Sequence, residues 1–149
     1  LEVTTFKLSE VMMNDKNLSV LVVDNNKKNQ ELIKADLEHL PIVIFATSNG
    51  EEGIKIIKNN PEFPVIISEY SLGSEMTGGD FFKFVGEYSP NTSRILMADG
   101  IDEASFKNMM SHGFIEEYVM KPILGESLVA HVEKGLKFYK KKIEWRKTG

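Results

Sequence analysis

The sequence predicts an α/β protein built on one doubly wound, five-stranded parallel sheet. Five short apolar runs alternate with segments whose apolar residues recur at helical spacing, and this alternation implies right-handed β-α-β crossovers. The run from Val65 to Ile67 is apolar on both faces, as expected for a central strand with helices on both sides of the sheet. With 149 residues, 42% of them hydrophobic, the chain is long enough for one well-filled core.

Each strand and helix has its own signal, chiefly β-branched runs for strands and turn or capping residues between them. The predicted strands are Leu18 to Val23, Ile42 to Ala46, Val65 to Ser68, Arg94 to Ala98 and Glu117 to Met120. Five helices are predicted between and after these strands. The first two rest on the apolar residues Leu32, Ile33, Leu37 and Leu40 and on Ile54, Ile56 and Ile57, and the third extends from Asp80 to Tyr88. The fourth has a cap at Asp102 and the residues Ala104, Phe106, Met109 and Met110, and the fifth has the apolar residues Leu128, Val132, Leu136, Tyr139 and Ile143. We interpret the Met109-Met110 pair as core filling.

The composition excludes several kinds of protein. The absence of Cys rules out disulfides, thiolate metal sites and cysteine nucleophiles. No apolar run approaches the ~18 residues of a membrane span, and residues 1–17 lack the order of a signal peptide. We therefore expect a cytoplasmic protein that does not contact a membrane.

The charge is distributed unevenly along the chain. Residues 137–149 contain six Lys and Arg residues against Glu144, a net charge of +5, so the remainder carries -9 of the total of -4. Such an end can contact nucleic acid, but a lysine-rich stretch is more often the solvated side of a helix or a linker. We interpret it in the second way and expect no nucleic-acid partner.

The predicted domain occupies residues 18–140. Residues 1–17 show only loose helical spacing and are interpreted as an accessory arm, in which Met12 or Met13 could be a native start. Residues 141–149 are interpreted as a basic C-terminal tail or the start of a linker.

Polar residues follow four of the five predicted strands. The strand ends are Asp24-Asn25, Glu69, Ala98-Asp99, in which Asp99 is the polar residue, and Lys121. Because parallel strands bring their carboxyl ends to one edge of the sheet, we expect these residues to converge there. Carboxylates that hold Mg²⁺ and a lysine that binds a phosphoryl oxygen suit metal-assisted phosphoryl transfer.

Four motifs give the chain from Leu18 to about Tyr139 a family resemblance. They are Val-Leu-Val-Val-Asp-Asn at 20–25, Val-Ile-Ile-Ser-Glu-Tyr-Ser-Leu at 65–72, Arg-Ile-Leu-Met-Ala at 94–98 and Tyr-Val-Met-Lys-Pro at 118–122. With them the chain resembles the receiver domain of two-component response regulators, the CheY-like domains. The resemblance implies a flavodoxin-like (βα)5 fold with strand order 2-1-3-4-5 and a role in phosphorelay signal transduction.

The resemblance also assigns a role to each residue at the strand ends. Asp24 and Asn25 match the acidic pair that holds Mg²⁺, Glu69 the phosphate-accepting Asp, Ala98 the switch Ser or Thr, Tyr118 the switch aromatic, and Lys121 the phosphate-binding lysine. Three of these positions depart from the family. Asn25 offers a neutral oxygen, Glu69 is one methylene longer than Asp, and Ala98 has no hydroxyl. We expect at most a weakened Mg²⁺ site and no catalytic residue.

These departures predict a degenerate receiver, or pseudo-receiver, which is not an enzyme and acts by protein-protein interaction without normal phosphorylation. Glu69 would reach Lys121, imitate part of the charge of a phosphorylated Asp, and hold Tyr118 in one orientation. The simpler interpretations are an ordinary Glu-Lys pair at the sheet edge and simple packing of Tyr118. The partners implied are a sensor kinase or an output domain, or a second copy bound through the fourth helix, fifth strand and fifth helix, with Met109, Tyr118 and His131 on that face.

Three alternatives remain open at this point. The first is a conventional phosphorelay receiver with weakened chemistry or another acceptor. The second is a flavodoxin-like cofactor binder, which would need a phosphate-binding loop where the chain has Asn25-Asn26-Lys27-Lys28. The third is a DNA-binding regulator, although no helix-turn-helix pattern follows the domain.

Overall fold

The computed structural model describes residues 18–100, 103–121 and 126–148, with side chains in the last range from 127 to 145. The strands are β1 (Leu18–Val23), β2 (Ile42–Thr47), β3 (Val65–Glu69), β4 (Ser93–Ala98) and β5 (Glu117–Met120). The helices are α1 (Lys27–Leu37), α2 (Gly50–Asn59), α3 (Gly78–Tyr88), α4 (Glu103–Ser111) and α5 (Glu126–Thr148). The predicted arm at 1–17, the cap at Asp102 and Pro122 lie outside the described residues.

The five strands form one sheet in the order β2-β1-β3-β4-β5, and every neighbouring pair is parallel. This confirms the predicted doubly wound sheet and its strand order. β3 lies in the middle of the sheet, where all five of its residues are buried. Its position places the residue at its carboxyl end between the ends of β1 and β4.

The sheet is covered by a core layer on each face. One layer packs Ile66, Phe81 and Leu96 together with residues of α2, α3 and α4. The other packs Val65 and Ile67 against α1 and α5, with Leu128 among its helical residues. Full burial of each such side chain contributes about 1.5 to 3 kcal/mol, so the two layers fix where the strand ends lie.

Helix α3 begins two residues before its predicted start because its first turn has a complete capping box. The Thr77 hydroxyl accepts a hydrogen bond from the Asp80 amide at 3.1 Å, and the Asp80 carboxylate accepts one from the Thr77 amide at 3.0 Å. The Gly78 amide donates to the Tyr70 carbonyl at 2.7 Å. A Cβ at Gly78 would collide with the carbonyl oxygen of Glu69, so glycine allows α3 to start directly against the end of β3.

Two predicted core positions are corrected by the structure. Leu32 is 56% exposed, because the buried face of α1 is formed by Gln30, Ile33 and Leu37. The core interpretation of the methionine pair is confirmed for Met109, which packs against a core layer, and is wrong for Met110, which is exposed. Both corrections follow from helical phase: adjacent positions lie about 100° apart, and the buried arcs of α1 and α4 are too narrow to include both members of either pair.

Helix α5 runs without a break from Glu126 to Thr148. It crosses residue 140, where the sequence predicts the end of the domain; that division stays a prediction. Leu128, Val132 and Tyr139 are buried against the sheet, as predicted. No described helix is long and apolar enough to cross a membrane.

Candidate functional site

Asp24 lies directly after β1 and is completely buried. Its amide donates to the Thr47 carbonyl of β2 at 3.0 Å, and its Oδ1 accepts from the Asn26 amide at 2.9 Å. The side chain of Gln30 donates to the Asp24 carbonyl at 2.7 Å. These contacts with the neighbouring strand and with the start of α1 hold the carboxylate in place.

Glu69 is the last residue of β3 and is 6% exposed. The next amide, that of Tyr70, donates to the Met97 carbonyl of β4 at 2.8 Å, which extends the ladder past the strand. Glu69 is therefore not a solvated residue in a loop. It is a charged side chain held at the middle of the sheet edge.

Lys121 follows β5 and connects the three strand ends. Its ammonium contacts Glu69 Oε2 and lies 4.0 Å from Asp24 Oδ2. Its amide donates to the Ala98 carbonyl at 3.0 Å, which fixes the backbone beside β4. We call Asp24, Glu69 and Lys121 the carboxyl-edge cluster. The predicted convergence of these three side chains is confirmed.

The carboxyl-edge cluster contains two carboxylates and one ammonium. Burial raises the pKa of Asp24, and its hydrogen bond from Asn26 and the charge of Lys121 only partly oppose that shift. Burial likewise raises the pKa of Glu69, against the hydrogen bond and charge of Lys121, while the charge of Asp24 adds to the rise. Asp24 Oδ2 is buried without a hydrogen-bond partner among the described residues. With both carboxyl groups ionised, the cluster has one more negative charge than positive charge.

Ala98 and Tyr118 occupy the switch positions on the neighbouring strands. Ala98 is buried in the core layer that also includes Phe106, and it has no group that could hydrogen-bond a phosphoryl oxygen. The Tyr118 ring stacks on the Phe106 ring of α4, with 4.0 Å between the centroids and 5° between the planes. The aromatic ring therefore packs inward against α4.

The described residues fit a Mg²⁺ ion poorly. They include no group of three or more His, Cys, Asp or Glu side chains that could hold a metal. Asn25 is exposed, and its amide nitrogen would lie 2.7 Å from a Cβ added at Gly73, in the loop after β3. Of the two carboxylates, Glu69 already contacts the Lys121 ammonium. The ammonium of Lys121 thus provides the positive charge beside Glu69, where the resemblance implies a Mg²⁺ ion.

Two residues of the site were not assigned a role in the sequence analysis. Gln30 is buried and donates to the carbonyls of Asp24 and Thr47 at 2.7 and 3.3 Å. Its sequence signal is a polar residue on the same helical arc as Ile33 and Leu37. Phe106 was predicted only as a core residue. Its stacking on Tyr118 depends on a tertiary contact that spacing does not reveal.

Comparison with known proteins places this geometry in a family. A model of the response regulator receiver domain matches residues 20–133. The chain is 24% identical over 124 residues to the hydrogenase transcriptional regulatory protein HoxA of Cupriavidus necator, covering 83% of this chain and 25% of that protein. It is 27% identical over 120 residues to the sensor histidine kinase CheAY of Helicobacter pylori, covering 79% and 15%. The chain thus spans a quarter or less of either relative.

Solved structures agree on the fold. A response regulator receiver domain protein from Clostridium thermocellum superimposes with a TM-score of 0.76 at 22% identity, covering 85% of this chain and 98% of that one. The residues that match the family model contain β2 to β5, β1 except its first two residues, and the carboxyl-edge cluster. The chain belongs to the response regulator receiver domain family of two-component signalling proteins.

Proposed function

We propose that this receiver works without phosphorylation of its acceptor position and signals through protein-protein contact. The observation that carries the proposal is the ion pair between Glu69 and Lys121. The lysine that would bind a phosphoryl group is already engaged by the side chain at the acceptor position. The longer Glu69 side chain thus brings a negative charge into direct contact with Lys121 without phosphoryl transfer.

The geometry of Glu69 argues against transfer of a phosphoryl group to it. Its carboxylate is buried at the end of β3, and one of its two oxygens is held by the Lys121 ammonium, which restricts the direction from which the other could attack a phosphorus atom. The side chain is also one methylene longer than the usual Asp. A displacement of about 1 Å from the reactive position costs about 100-fold in rate.

The inward position of Tyr118 supports a fixed output state. Ala98 offers no hydroxyl that could move toward a phosphoryl group, and the stack with Phe106 gives Tyr118 a stable position. The face formed by α4, β5 and α5 would then be presented constantly to a sensor kinase, an output domain or a second copy. Met110 and Met120, 42% and 50% exposed, are apolar residues on α4 and β5 that suit such a contact.

Incubation with Mg²⁺ and a small acyl phosphate tests the proposal, with intact mass as the measurement. We expect no gain of a phosphoryl group on the wild-type chain. The matched variant is Glu69→Asp, which restores the acceptor carboxylate at its usual length. A phosphoryl adduct on any carboxylate of the wild-type chain would overturn the proposal.

The role of Glu69 as a fixed charge has its own test. Glu69→Gln keeps the size of the side chain and removes its charge, so we expect the resonances of Tyr118 and of the segment after β4 to shift. Unchanged resonances would reduce the Glu69-Lys121 pair to a stabilising contact at the sheet edge.

A conventional receiver with weakened phosphorylation is the second candidate. It is favoured by the buried Asp24 Oδ2, an oxygen without a hydrogen-bond partner among the described residues. Amide spectra with and without Mg²⁺ and beryllofluoride, a phosphoryl mimic, separate the two candidates. Shifts localised at β4 and β5 would favour the conventional receiver, whereas unchanged spectra support the phosphorylation-independent one.

A further inference from the structure

We infer that the part of α5 from Lys134 onward carries a surface that binds anionic lipid headgroups. Four residues form it: Lys134, Phe138, Lys141 and Trp145, which we call the α5 stripe. Their spacing of i, i+4, i+7 and i+11 places them within an arc of about 60° on the helix. They form a line about 17 Å long, on the side of α5 opposite the buried Tyr139.

The aromatic residues of the α5 stripe are not needed to fill the core. Phe138 is 41% exposed and Trp145 is 77% exposed. From Lys140 to Trp145 no side chain is buried, although Lys142 and Ile143 are partly covered. Lys134 lies with its ammonium 5.8 Å from the centre of the Phe138 ring and 3.5 Å from Glu117 of β5. The stripe therefore alternates cations with large exposed rings.

The charges on this part of α5 select an anionic occupant. Lys137 flanks the stripe, and residues 137–149 carry six basic residues against one acidic residue. A second copy docked stripe to stripe would bring lysine against lysine. Near an anionic membrane surface each lysine strengthens binding about 5-fold, and Trp and Phe are the rings that insert at the boundary between headgroups and acyl chains.

The shape of the stripe favours a lipid surface over nucleic acid. A straight line of side chains on a convex helix can lie flat on a bilayer, but it offers no groove for a nucleic-acid backbone. Of the side chains that commonly read base edges, the stripe contains lysine but no Arg, Asn or Gln. By sequence alone, the lysines of residues 137–149 are interpreted as a solvated helix face, and no membrane contact is expected. The shared arc with Phe138 and Trp145 changes that interpretation, and binding at an interface requires no membrane span.

Trp145 is the single tryptophan of the chain and therefore reports directly on the proposed contact. The full chain is titrated with vesicles of phosphatidylcholine alone and with vesicles that also contain phosphatidylserine. We expect a blue shift of the Trp145 emission with the anionic vesicles only, and its loss at high salt because ions screen the attraction. No shift, or an equal shift with neutral vesicles, would overturn the inference.

Two adjacent lysines provide a matched pair of variants. Lys141→Glu and Lys140→Glu make the same change in net charge at exposed positions, but Lys140 lies about 100° around the helix from Lys141. We expect Lys141→Glu to weaken vesicle binding about 10-fold, and Lys140→Glu less than about 3-fold. Equal losses would show that net charge alone determines binding, and would overturn the inference that the lipids bind at the α5 stripe.

Competing occupants are tested with the same fluorophore. Tighter binding to a single-stranded oligonucleotide than to the anionic vesicles would overturn the lipid surface in favour of nucleic acid. A blue shift that appears on concentrating the protein without vesicles, together with a dimer mass by light scattering, would assign the stripe to self-association. Circular dichroism checks that each variant retains its helix content.

Discussion

The two edges of the sheet each hold a cluster of three charges, and the clusters are opposite in sign. The carboxyl-edge cluster has two carboxylates around one ammonium. At the other edge, the guanidinium of Arg94 lies 3.7 Å from Glu116 Oε1, and the ammonium of Lys142 lies 2.6 Å from Glu116 Oε2. We call Arg94, Glu116 and Lys142 the amino-edge cluster. One edge has excess negative charge and the other excess positive charge.

The contacts of the two clusters show that they serve different purposes. Both oxygens of Glu116 accept hydrogen bonds, from the Arg94 amide at 3.2 Å and from Lys142. Arg94 also donates to the Gly113 carbonyl at 3.1 Å. The amino-edge cluster thus joins β4, the approach to β5 and α5. The carboxyl-edge cluster instead joins the ends of β1, β3 and β5. Each cluster has buried polar atoms without a hydrogen-bond partner among the described residues, Asp24 Oδ2 in this one and Arg94 Nε and Nη1 in the other. We infer that the first stabilises the fold and that the second retains the layout of a switch.

The largest expected effect comes from breaking the amino-edge cluster. Glu116→Ala leaves Arg94, which is 6% exposed, without its counter-charge. Removing one partner of a buried ion pair costs about 3 to 5 kcal/mol. We expect a loss of about 3 kcal/mol in the free energy of unfolding, since Glu116 is partly exposed. Urea denaturation measures it.

The control for this prediction removes both charges. Arg94→Met combined with Glu116→Ala leaves no unpaired guanidinium and keeps an unbranched side chain beside Gly86 of α3, so most of the lost stability should return. If the double variant is less stable than Glu116→Ala alone, then packing of Arg94 and not its charge determines the loss.

Lys121→Met is the corresponding change at the carboxyl edge. It leaves Asp24 and Glu69 facing each other without the ammonium, and we expect a loss of about 2 kcal/mol near neutral pH. The loss should be smaller at about pH 5, because one carboxyl group can then bind a proton and the repulsion disappears. The same loss at both pH values would mean that the aliphatic chain of Lys121, and not its charge, stabilises this edge.

The raised pKa of Glu69 predicts how pH affects the stability of this edge. A carboxyl group with a pKa raised on folding contributes stability that is complete below its ordinary value of 4.5 and is lost as pH rises through the higher folded pKa. Glu69→Gln removes this titration. We therefore expect the stability of the wild type relative to Glu69→Gln to fall as pH rises from about 4.5. A difference that grows with pH would mean that Lys121 outweighs burial and that the pKa is lowered.

Much of this arrangement could be predicted from strand ends alone. Parallel strands place Asp24, Glu69 and Lys121 at one edge of the sheet regardless of side-chain conformation. The convergence of the three residues therefore followed from the positions at which the apolar runs end. The amino-edge cluster was not predicted. Arg94 is the first residue of its predicted strand, and Glu116 and Lys142 are ordinary charged residues in sequence. They meet only because α5 packs back across β4.

Helical phase and side-chain contact were harder to predict than topology. The period of a helix shows which residues share a face, but short amphipathic segments leave the boundary of the buried arc open, as at Leu32 and Met110. The ion pair of Glu69 was expected from the resemblance, whereas the stacking partner of Tyr118 was not. A contact between α4 and β5 depends on how two elements pack, which the spacing within each does not specify.

The smallest expected effect concerns the uncharged stack between the two edges. Phe106→Leu and Tyr118→Leu each remove one ring, and the double variant isolates the energy of the stack itself, for which we expect about 1 kcal/mol. Because the stack is a contact between two rings and contains no carboxyl group, this coupling energy should be the same at about pH 5 and about pH 7, unlike the effect of Lys121→Met. A coupling energy that changes over this pH range would show that the stack senses the ionisation of Asp24 or Glu69. The charge at the carboxyl edge would then affect the packing of Tyr118 on α4, and the position of Tyr118 would depend on pH instead of being fixed.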